Sequence, residues 1–265
     1  MSEREPHDWD AATYDRISAP QLAWAQELLD RLALQDDEVV LDAGCGSGRL
    51  TAELLSRLPR GRVLCADLSS NMVRSAREHL EPAWGGRARY LCADLSALPL
   101  RAAADGVFST AVFHWIPDHP RLFASLFAAL KPGGWLEAQC GGAGNLERLR
   151  SRAQRLMKSP EFAPHFQGFE DSREYASPEL TGQRLRAAGF VEAEAWVEPA
   201  PATFLSREQF REFIGKVNLH KYVARLEDGE LSRRFLDAVA DQAAGDDPPF
   251  TLDYLRMNLR ARKPA

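Results

Sequence analysis

Apolar positions in the first 145 residues alternate between two periods. Continuous runs of branched or small apolar residues, "EVVLDAG", "GRVLCADLS", "ARYLCADLS", "DGVFSTAVF" and "GWLEAQCGG", read as five buried strands. Stretches between them repeat at helical spacing. The first opens at Pro20 in "PQLAWAQELLDRLAL", where Leu22, Ala25, Leu28, Leu29 and Leu32 share one face. "GRLTAELLSRL" and "SSNMVRSAREHL" follow, the second with Ser69 or Ser70 as its N-cap. "DHPRLFASLFAAL" is expected to stop at the breaker "KPGG".

Strand and helix in alternation predict an α/β fold, a doubly wound parallel sheet with helices on both faces. The second half is patterned differently. "NLERLRSRAQRLMKS" and "SPELTGQRLRAAGF" are helical, the latter ended by Gly189, and "VEAEAWVE" is a sixth strand. Two helical patterns, "SREQFREFIGKV" and "GELSRRFLDAVADQAA", then precede a last alternating strand in "PPFTLDYLRMNLRAR". The helical excursion is too long for a plain connection. The expected organisation is therefore a Rossmann-like core over 1–198 with an N-terminal helical cover. A helical lid insertion over 199–249 follows, then a final core strand within 250–265.

Composition narrows the function. A net charge of -5 argues against a general nucleic-acid binder, which carries a basic face. No run approaches the roughly 18 apolar residues of a membrane span. The opening "MSEREPHDWD" is polar and acidic, unlike a signal peptide, so a cytoplasmic setting is expected. The four cysteines, at 45, 65, 92 and 140, form no CxxC pair and are expected as small buried hydrophobes. No metal site is expected.

In a doubly wound sheet, ligands bind beyond the carboxyl ends of the strands. Asp42, Asp67, Asp94 and Thr110 all fall there, as does the glycine run in "LDAGCGSGRL". That run has no GxxxxGK[ST] and so is not a P-loop. As a dinucleotide loop it lacks the third glycine: Arg49 or Thr51 stands in its place, according to register. Bare backbone at Gly44, Gly46 and Gly48 lets a ligand lie against the turn. Asp42 beside it disfavours phosphate and suits a cation. Asp67 is placed for ribose hydroxyls, Asp94 for an adenine amino group, and Met72 for the adenine face. A phosphate-free adenosine with a cationic tail, S-adenosylmethionine, fits this set best.

With those residues the sequence resembles the class I S-adenosylmethionine-dependent methyltransferases. "VVLDAGCGSGRL", "CADLSSNMVRSAR", "YLCADLSALPL", "FSTAVFHWIPDH" and "LKPGGWLEAQ" are similar to the family's successive signatures. The resemblance implies seven strands, six parallel and the last antiparallel. It also implies that Asp42, Gly44 and Gly46 line the methionine end, Asp67 and Leu68 the ribose, and Asp94 and Leu95 the adenine, with Cys45 a further cofactor residue. Tyr14, Met72 and Thr110 complete the expected cofactor residues. The nearest likeness is to trans-aconitate methyltransferases, through "HDWDAATYDRIS", "AVFHWIPDHPRLF" and "EFIGKVNLHKYVARL". His220 and Lys221 replace an arginine-proline pair of those enzymes, and Thr110 replaces a frequent asparagine. The resemblance therefore carries fold and cofactor, and leaves the substrate open.

His114 follows the fourth strand, where a methyl group would be presented, and is the candidate general base; a packing role is the alternative. Trp9, His114, Trp115, His220 and Tyr222 are the candidate acceptor contacts. The expected reaction is in-line methyl transfer to a small-molecule acceptor, a carboxylate among the candidates, by a monomer or homodimer. Neither nucleic acid nor membrane is an expected partner. The alternatives are a non-catalytic S-adenosylmethionine-binding regulatory or assembly protein and an NAD-dependent oxidoreductase.

Overall fold

A computed structural model of the protein describes residues 19–265. Seven strands form one sheet in the order β3-β2-β1-β4-β5-β9-β6. They are β1 (Val39–Ala43), β2 (Arg62–Asp67), β3 (Ala88–Cys92), β4 (Ala104–Thr110), β5 (Leu130–Gly141), β6 (Val191–Pro199) and β9 (Leu255–Arg262). Six are parallel and one is antiparallel. A separate two-stranded ribbon pairs β7 (Ala202–Thr203) with β8 (Thr251–Leu252).

Alternation along each strand sends side chains to two cores. On one face Leu41, Val107 and Leu136 pack with Leu122, Phe123 and Leu126 of helix α4 (His119–Ala129) and Leu185 of α6 (Pro178–Ala187). On the other, Val40, Val63 and Phe108 pack with Leu28 and Leu29 of α1 (Ala19–Asp30), Leu54 and Leu55 of α2 (Arg49–Arg57), and Ala76 and Leu80 of α3 (Ser70–Trp84). Both faces of the sheet are thus buried, as the apolar runs required. Ser69 caps α3, its Oγ accepting the Met72 N–H at 3.2 Å.

The breaker "KPGG" does end α4, at Ala129, but it lies inside β5 instead of in a loop. Register shifts between Ala104 and Gly106 of β4 absorb the extra residues, and Gly133 takes a φ of 77°. The backbones of Gly133 and Gly134 bond to Pro264 and Lys263, which ties this irregular stretch to the chain beyond β9.

By its internal contacts the chain divides into two units. One holds the described residues up to Ala143, with Arg173–Val197 and Met257–Ala265. The other holds Gly144–Ser172 and Glu198–Arg256. Residues 144–172, expected in the core, therefore group with the helical insertion. A charged lock joins α5 (Glu147–Met157) to the residues after α9 (Gly229–Ala243). Arg152 pairs through both guanidinium nitrogens with Asp246, a carboxylate almost wholly buried, and Arg148 approaches the same carboxylate at 3.5 Å. The pattern "SREQFREFIGKV" is not one continuous helix either. Helix α7 (Arg207–Phe213) runs into a π turn over Ile214–Asn218 before α8 (His220–Arg225). At Gly215, within this turn, an added Cβ would stand only 2.8 Å from Leu236 of α9.

Candidate cofactor and acceptor site

Parallel register places the strand tips in a row. Ala43 pairs with Ala66, Asp67 with Cys92, and Thr110 with Gln139. The turn after β1 is fastened to β2: the N–H groups of Gly44 and Cys45 both donate to the Ala66 carbonyl, at 2.7 and 3.1 Å. The Gly46 N–H donates to Asp67 Oδ2 at 3.0 Å, and the Ser69 N–H donates to Oδ1 at 2.9 Å. One carboxylate thereby fixes the turn after β1 and the entry to α3. An ionised carboxylate offers about four acceptor positions and the Leu68 N–H also bonds to this one, so Asp67 keeps capacity for a further donor such as a hydroxyl.

The three glycines do three different jobs. At Gly44, with φ 92°, a Cβ would lie 2.1 Å from Val112 Cγ2, so the turn presses against the segment after β4. At Gly48, with φ 86°, it would lie 3.0–3.2 Å from Leu80 and Ala76, so α2 and α3 pack closely there. At Gly46, with φ 53°, a Cβ would meet no atom of the described residues within 4 Å. Gly46 alone presents bare backbone outward.

Asp42 is the second acid. It is buried, and its Oδ2 accepts the Thr51 hydroxyl at 2.6 Å. Burial pushes its carboxyl up to about 7; the Thr51 hydrogen bond opposes the rise and the nearby Asp67 adds to it. Burial also raises Asp67, against the pull of its backbone hydrogen bonds. Two acids held this way at adjacent strand tips favour a cationic ligand and disfavour a pyrophosphate. Thr51, which sequence reading used only to reject a dinucleotide loop, is the hydroxyl that orients Asp42.

Asp94 stands two residues beyond the end of β3, not on it. It is exposed and caps a 3-10 turn over Leu95–Ala97, accepting from Ser96 N and Oγ at 2.8 Å each. Leu95 and Met72 are buried, while Leu68 remains 50 % exposed beside Asp67. Cys45 is buried and its thiol is pushed far up, so it packs and does not react. Cys92, expected to be buried, is exposed, its Sγ 3.5 Å from the Leu68 carbonyl. Thr110 ends β4, and Ala111 after it takes a φ of 59°.

His114 lies in a 3-10 turn over Phe113–Trp115 and is buried. Its Nδ1 accepts the Gly141 N–H at 3.2 Å. A ring that accepts at Nδ1 is neutral and carries its proton on Nε2. In that tautomer Nε2 is a hydrogen-bond donor. The segment after His114 is bonded to residues 173–175: Glu174 N–H donates to the His114 carbonyl at 2.9 Å. Tyr175 stacks on the His114 ring at 5.7 Å, and Arg173 lies over Trp115 at 5.6 Å. Glu174, between them in the chain, pairs with Arg184, which also donates to His119 Nδ1. His119 Nε2 donates to the Phe113 carbonyl, and burial lowers the ring's pKa. His119 is structural. Arg173 and Tyr175 were not singled out from the sequence; their only signal is the i, i+2 spacing in "REY".

His220 and Tyr222 belong to the other unit. His220 Nδ1 donates to the Val217 carbonyl at 3.2 Å. Tyr222 is fully buried among Phe166, Phe169 and Phe235, and its hydroxyl donates to Asp171. Tyr222 thus packs in the core of that unit. Trp9 and Tyr14 lie outside the described residues. Among the described residues no three His, Cys, Asp or Glu side chains are grouped to hold a metal ion.

Comparison with known proteins places this geometry. A family described as "Methyltransferase domain" matches residues 40–134, the span from β1 into β5. A trans-aconitate 2-methyltransferase of Deinococcus radiodurans is 30% identical over 246 residues, 91% of this chain and 92% of that protein. The chain belongs to the class I S-adenosylmethionine-dependent methyltransferases. A trans-aconitate 2-methyltransferase of Variovorax paradoxus is 40% identical over 132 residues, covering 50% of this chain and 49% of its own. The chain thus spans about half the length of such relatives. Phosphoethanolamine N-methyltransferase 2 of Haemonchus contortus, solved with S-adenosyl-L-methionine, shares the fold at a TM-score of 0.61. It is 21% identical, and the match covers 96% of this chain and 57% of that one. For a methyltransferase of this class, the glycine turn and the acids at β1 and β2 lie where the cofactor site of the fold is expected.

Proposed function

We propose that this protein transfers a methyl group from S-adenosylmethionine to a small-molecule acceptor, in the cytoplasm. The carrying observation is the pair of acids, Asp42 and Asp67, flanking the outward backbone of Gly46. Asp42, Gly44 and Gly46 would hold the cationic methionine end, and Asp67 the ribose. Leu68, Met72, Asp94 and Leu95 would flank the adenine. Bound there, S-adenosylmethionine would supply an electrophilic sulfonium methyl carbon, open to attack by an acceptor lone pair with the thioether sulfur as leaving group.

The chain's own residues contribute position. Alignment alone can lower a barrier by about 7–11 kcal/mol, so no protein base is obligatory. His114, locked by Gly141 as an Nε2–H donor, orients an acceptor oxygen. Trp115 and Tyr175 supply aromatic walls next to it.

Calorimetry with S-adenosylhomocysteine and with NAD tests the reading. Binding of the first and none of the second is expected; the reverse would mean an oxidoreductase. Transfer of a labelled methyl from cofactor to a mixture of small metabolites then separates enzyme from binding protein. Labelled product is expected, and its persistent absence would favour the binding protein. A further expectation concerns pH. At saturating cofactor, kcat profiles of the wild type and His114→Gln should have the same shape, because neither side chain gains or loses the transferred proton. An ascending limb near about 6.5 in the wild type alone would restore the base.

A further inference from the structure

Two consecutive carbonyls of the turn after β4 are held from outside it. The Phe113 carbonyl accepts the Nε2–H of His119, the first residue of α4, at 3.1 Å. The His114 carbonyl accepts the Glu174 N–H at 2.9 Å. One guanidinium nitrogen joins these two arms. Arg184 Nη1, from α6, lies 3.1 Å from His119 Nδ1 and 2.8 Å from Glu174 Oε1, and its two protons serve both contacts at once.

This arrangement fixes the charge of the ring. A carbonyl oxygen only accepts, so Nε2 carries a proton; a guanidinium only donates, so Nδ1 presents its lone pair. His119 is neutral by both contacts. A proton added at Nδ1 would set donor against donor and place two positive charges 3.1 Å apart. The ring is buried, with Phe123 against it at 5.5 Å, so solvent does little to screen that repulsion. The charged groups around it are Arg184 of α6, Glu174, and Asp118 at the start of α4. Burial and Arg184 oppose protonation and the two acids favour it, with the balance holding the ring below its ordinary pKa.

From this geometry we infer that His119 and Arg184 are positioning residues for methyl transfer: with the ring neutral they clamp the turn after β4 against the cofactor turn, and protonation of His119 releases it. The inference rests on the methyltransferase reading and adds a control by acidity to it. Val112 is the link. It directly precedes the clamped turn, its carbonyl accepts the Trp115 N–H at 2.8 Å, and its side chain is the one against which Gly44 presses. The sign follows from the resistance to protonation. The folded ring costs nothing above the unfolded histidine value of about 6.5, and the clamped form loses stability as pH falls below it.

Hydrogen exchange by mass spectrometry on the full chain reads the clamp at the amides of Trp115, Ile116 and Glu174, all donors in or to this turn. Amides of β4 and β5 control for global unfolding, and rates are corrected for the intrinsic effect of pH. From about pH 7.5 to about pH 4.5 the wild type should lose about two- to tenfold of the protection there, the worth of one hydrogen bond, with a midpoint below about 6.5. His119→Gln offers an amide N–H to Phe113 and a carbonyl to Arg184 without titrating, so its protection should stay flat. Arg184→Met should be loosened already at the top of that range. Its His119 ring, relieved of the guanidinium, should titrate higher by the ring's nitrogen resonances. Calorimetry at the top of the range should find S-adenosylhomocysteine bound about two- to tenfold more weakly by Arg184→Met, and rescued affinity in His119→Gln.

Protection that stays flat in the wild type, or falls equally in His119→Gln, overturns the inference. So does a loosened turn in Arg184→Met with wild-type affinity for S-adenosylhomocysteine, since the clamp would then hold the fold and not the site. Failure of the wild type to bind S-adenosylhomocysteine at any pH is the distinct result that overturns the methyltransferase reading, and the positioning role with it.

Discussion

Gly46→Val is expected to abolish S-adenosylhomocysteine binding while the protein still folds, and Gly44→Ala to do the opposite damage. The two glycines are two residues apart and both have positive φ, yet their surroundings differ. Beyond Gly46 no atom of the described residues lies within 4 Å of an added Cβ, so a valine there disturbs no packing among them and projects into the space assigned to the cofactor. Its cost to the fold is backbone strain, of order 1–3 kcal/mol for a branched residue at φ 53°. For a chain this size that lowers the melting temperature by about 2–12 °C. Gly44→Ala instead drives a methyl to 2.1 Å from Val112 Cγ2. Either the turn or the segment after β4 must move, and overpacking of this kind adds about 1–3 kcal/mol to the strain of φ 92°. Thermal melting and calorimetry on the two variants check this. Unchanged affinity in Gly46→Val would place the cofactor elsewhere.

Much of the site was legible because β-strand tips advertise themselves. Apolar runs that end in Asp-Ala-Gly or Asp-Leu locate Asp42 and Asp67, and parallel pairing then brings them together without further information. Asp94 was misplaced by two residues because "CADLS" occurs at both 65–69 and 92–96. In the first copy the aspartate closes the strand. In the second the strand ends earlier, and the aspartate caps a 3-10 turn through Ser96. Local pattern cannot distinguish the copies; pairing partners decide. Tyr222 was illegible for a related reason. A tyrosine beside histidine and lysine looks exposed, but its ring completes a cluster with Phe166, Phe169 and Phe235 drawn from distant segments.

Arg173 and Tyr175 were invisible because residues 170–177 form no regular element, and their alignment depends on a bond from Glu174 to the His114 carbonyl. The tautomer of His114 was equally beyond the sequence. It follows from one N–H of Gly141, a residue 27 positions away. Grouping of 144–172 with the helical unit likewise depends on a partner far along the chain, Asp246.

The largest effect of pH is expected at Asp42. An unfolded carboxyl ionises near 3.8, while burial holds the folded one at about 7. A raised folded value means that the folded state resists ionisation. The group therefore contributes no penalty below about pH 4 and a growing one as pH rises to about 7, after which the penalty is constant. The gap corresponds to about 4 kcal/mol, of which about 2–3 kcal/mol develops between about pH 5 and pH 8. Asp42→Asn keeps the acceptor for Thr51 and cannot ionise. Buried without a guaranteed partner, its amide N–H₂ costs about 1–3 kcal/mol at every pH, which offsets part of the gain. The expected result is a variant whose ligand-free melting temperature falls much less steeply from about pH 5 to pH 8 than the wild type's. A residual slope should remain from Asp67, which burial also raises. Cofactor binding should respond in the opposite sense. A cationic ligand prefers the ionised Asp42, so wild-type affinity should strengthen as pH rises towards about 7. In Asp42→Asn it should be weaker by about thirtyfold or more at high pH, and nearly independent of pH. Differential scanning calorimetry without ligand and titration with S-adenosylmethionine measure the two halves separately. Equal melting slopes in variant and wild type would show that Asp42 is ionised in the folded protein at low pH. The two acids would then not be the charge sensor that holds a cation at the glycine turn.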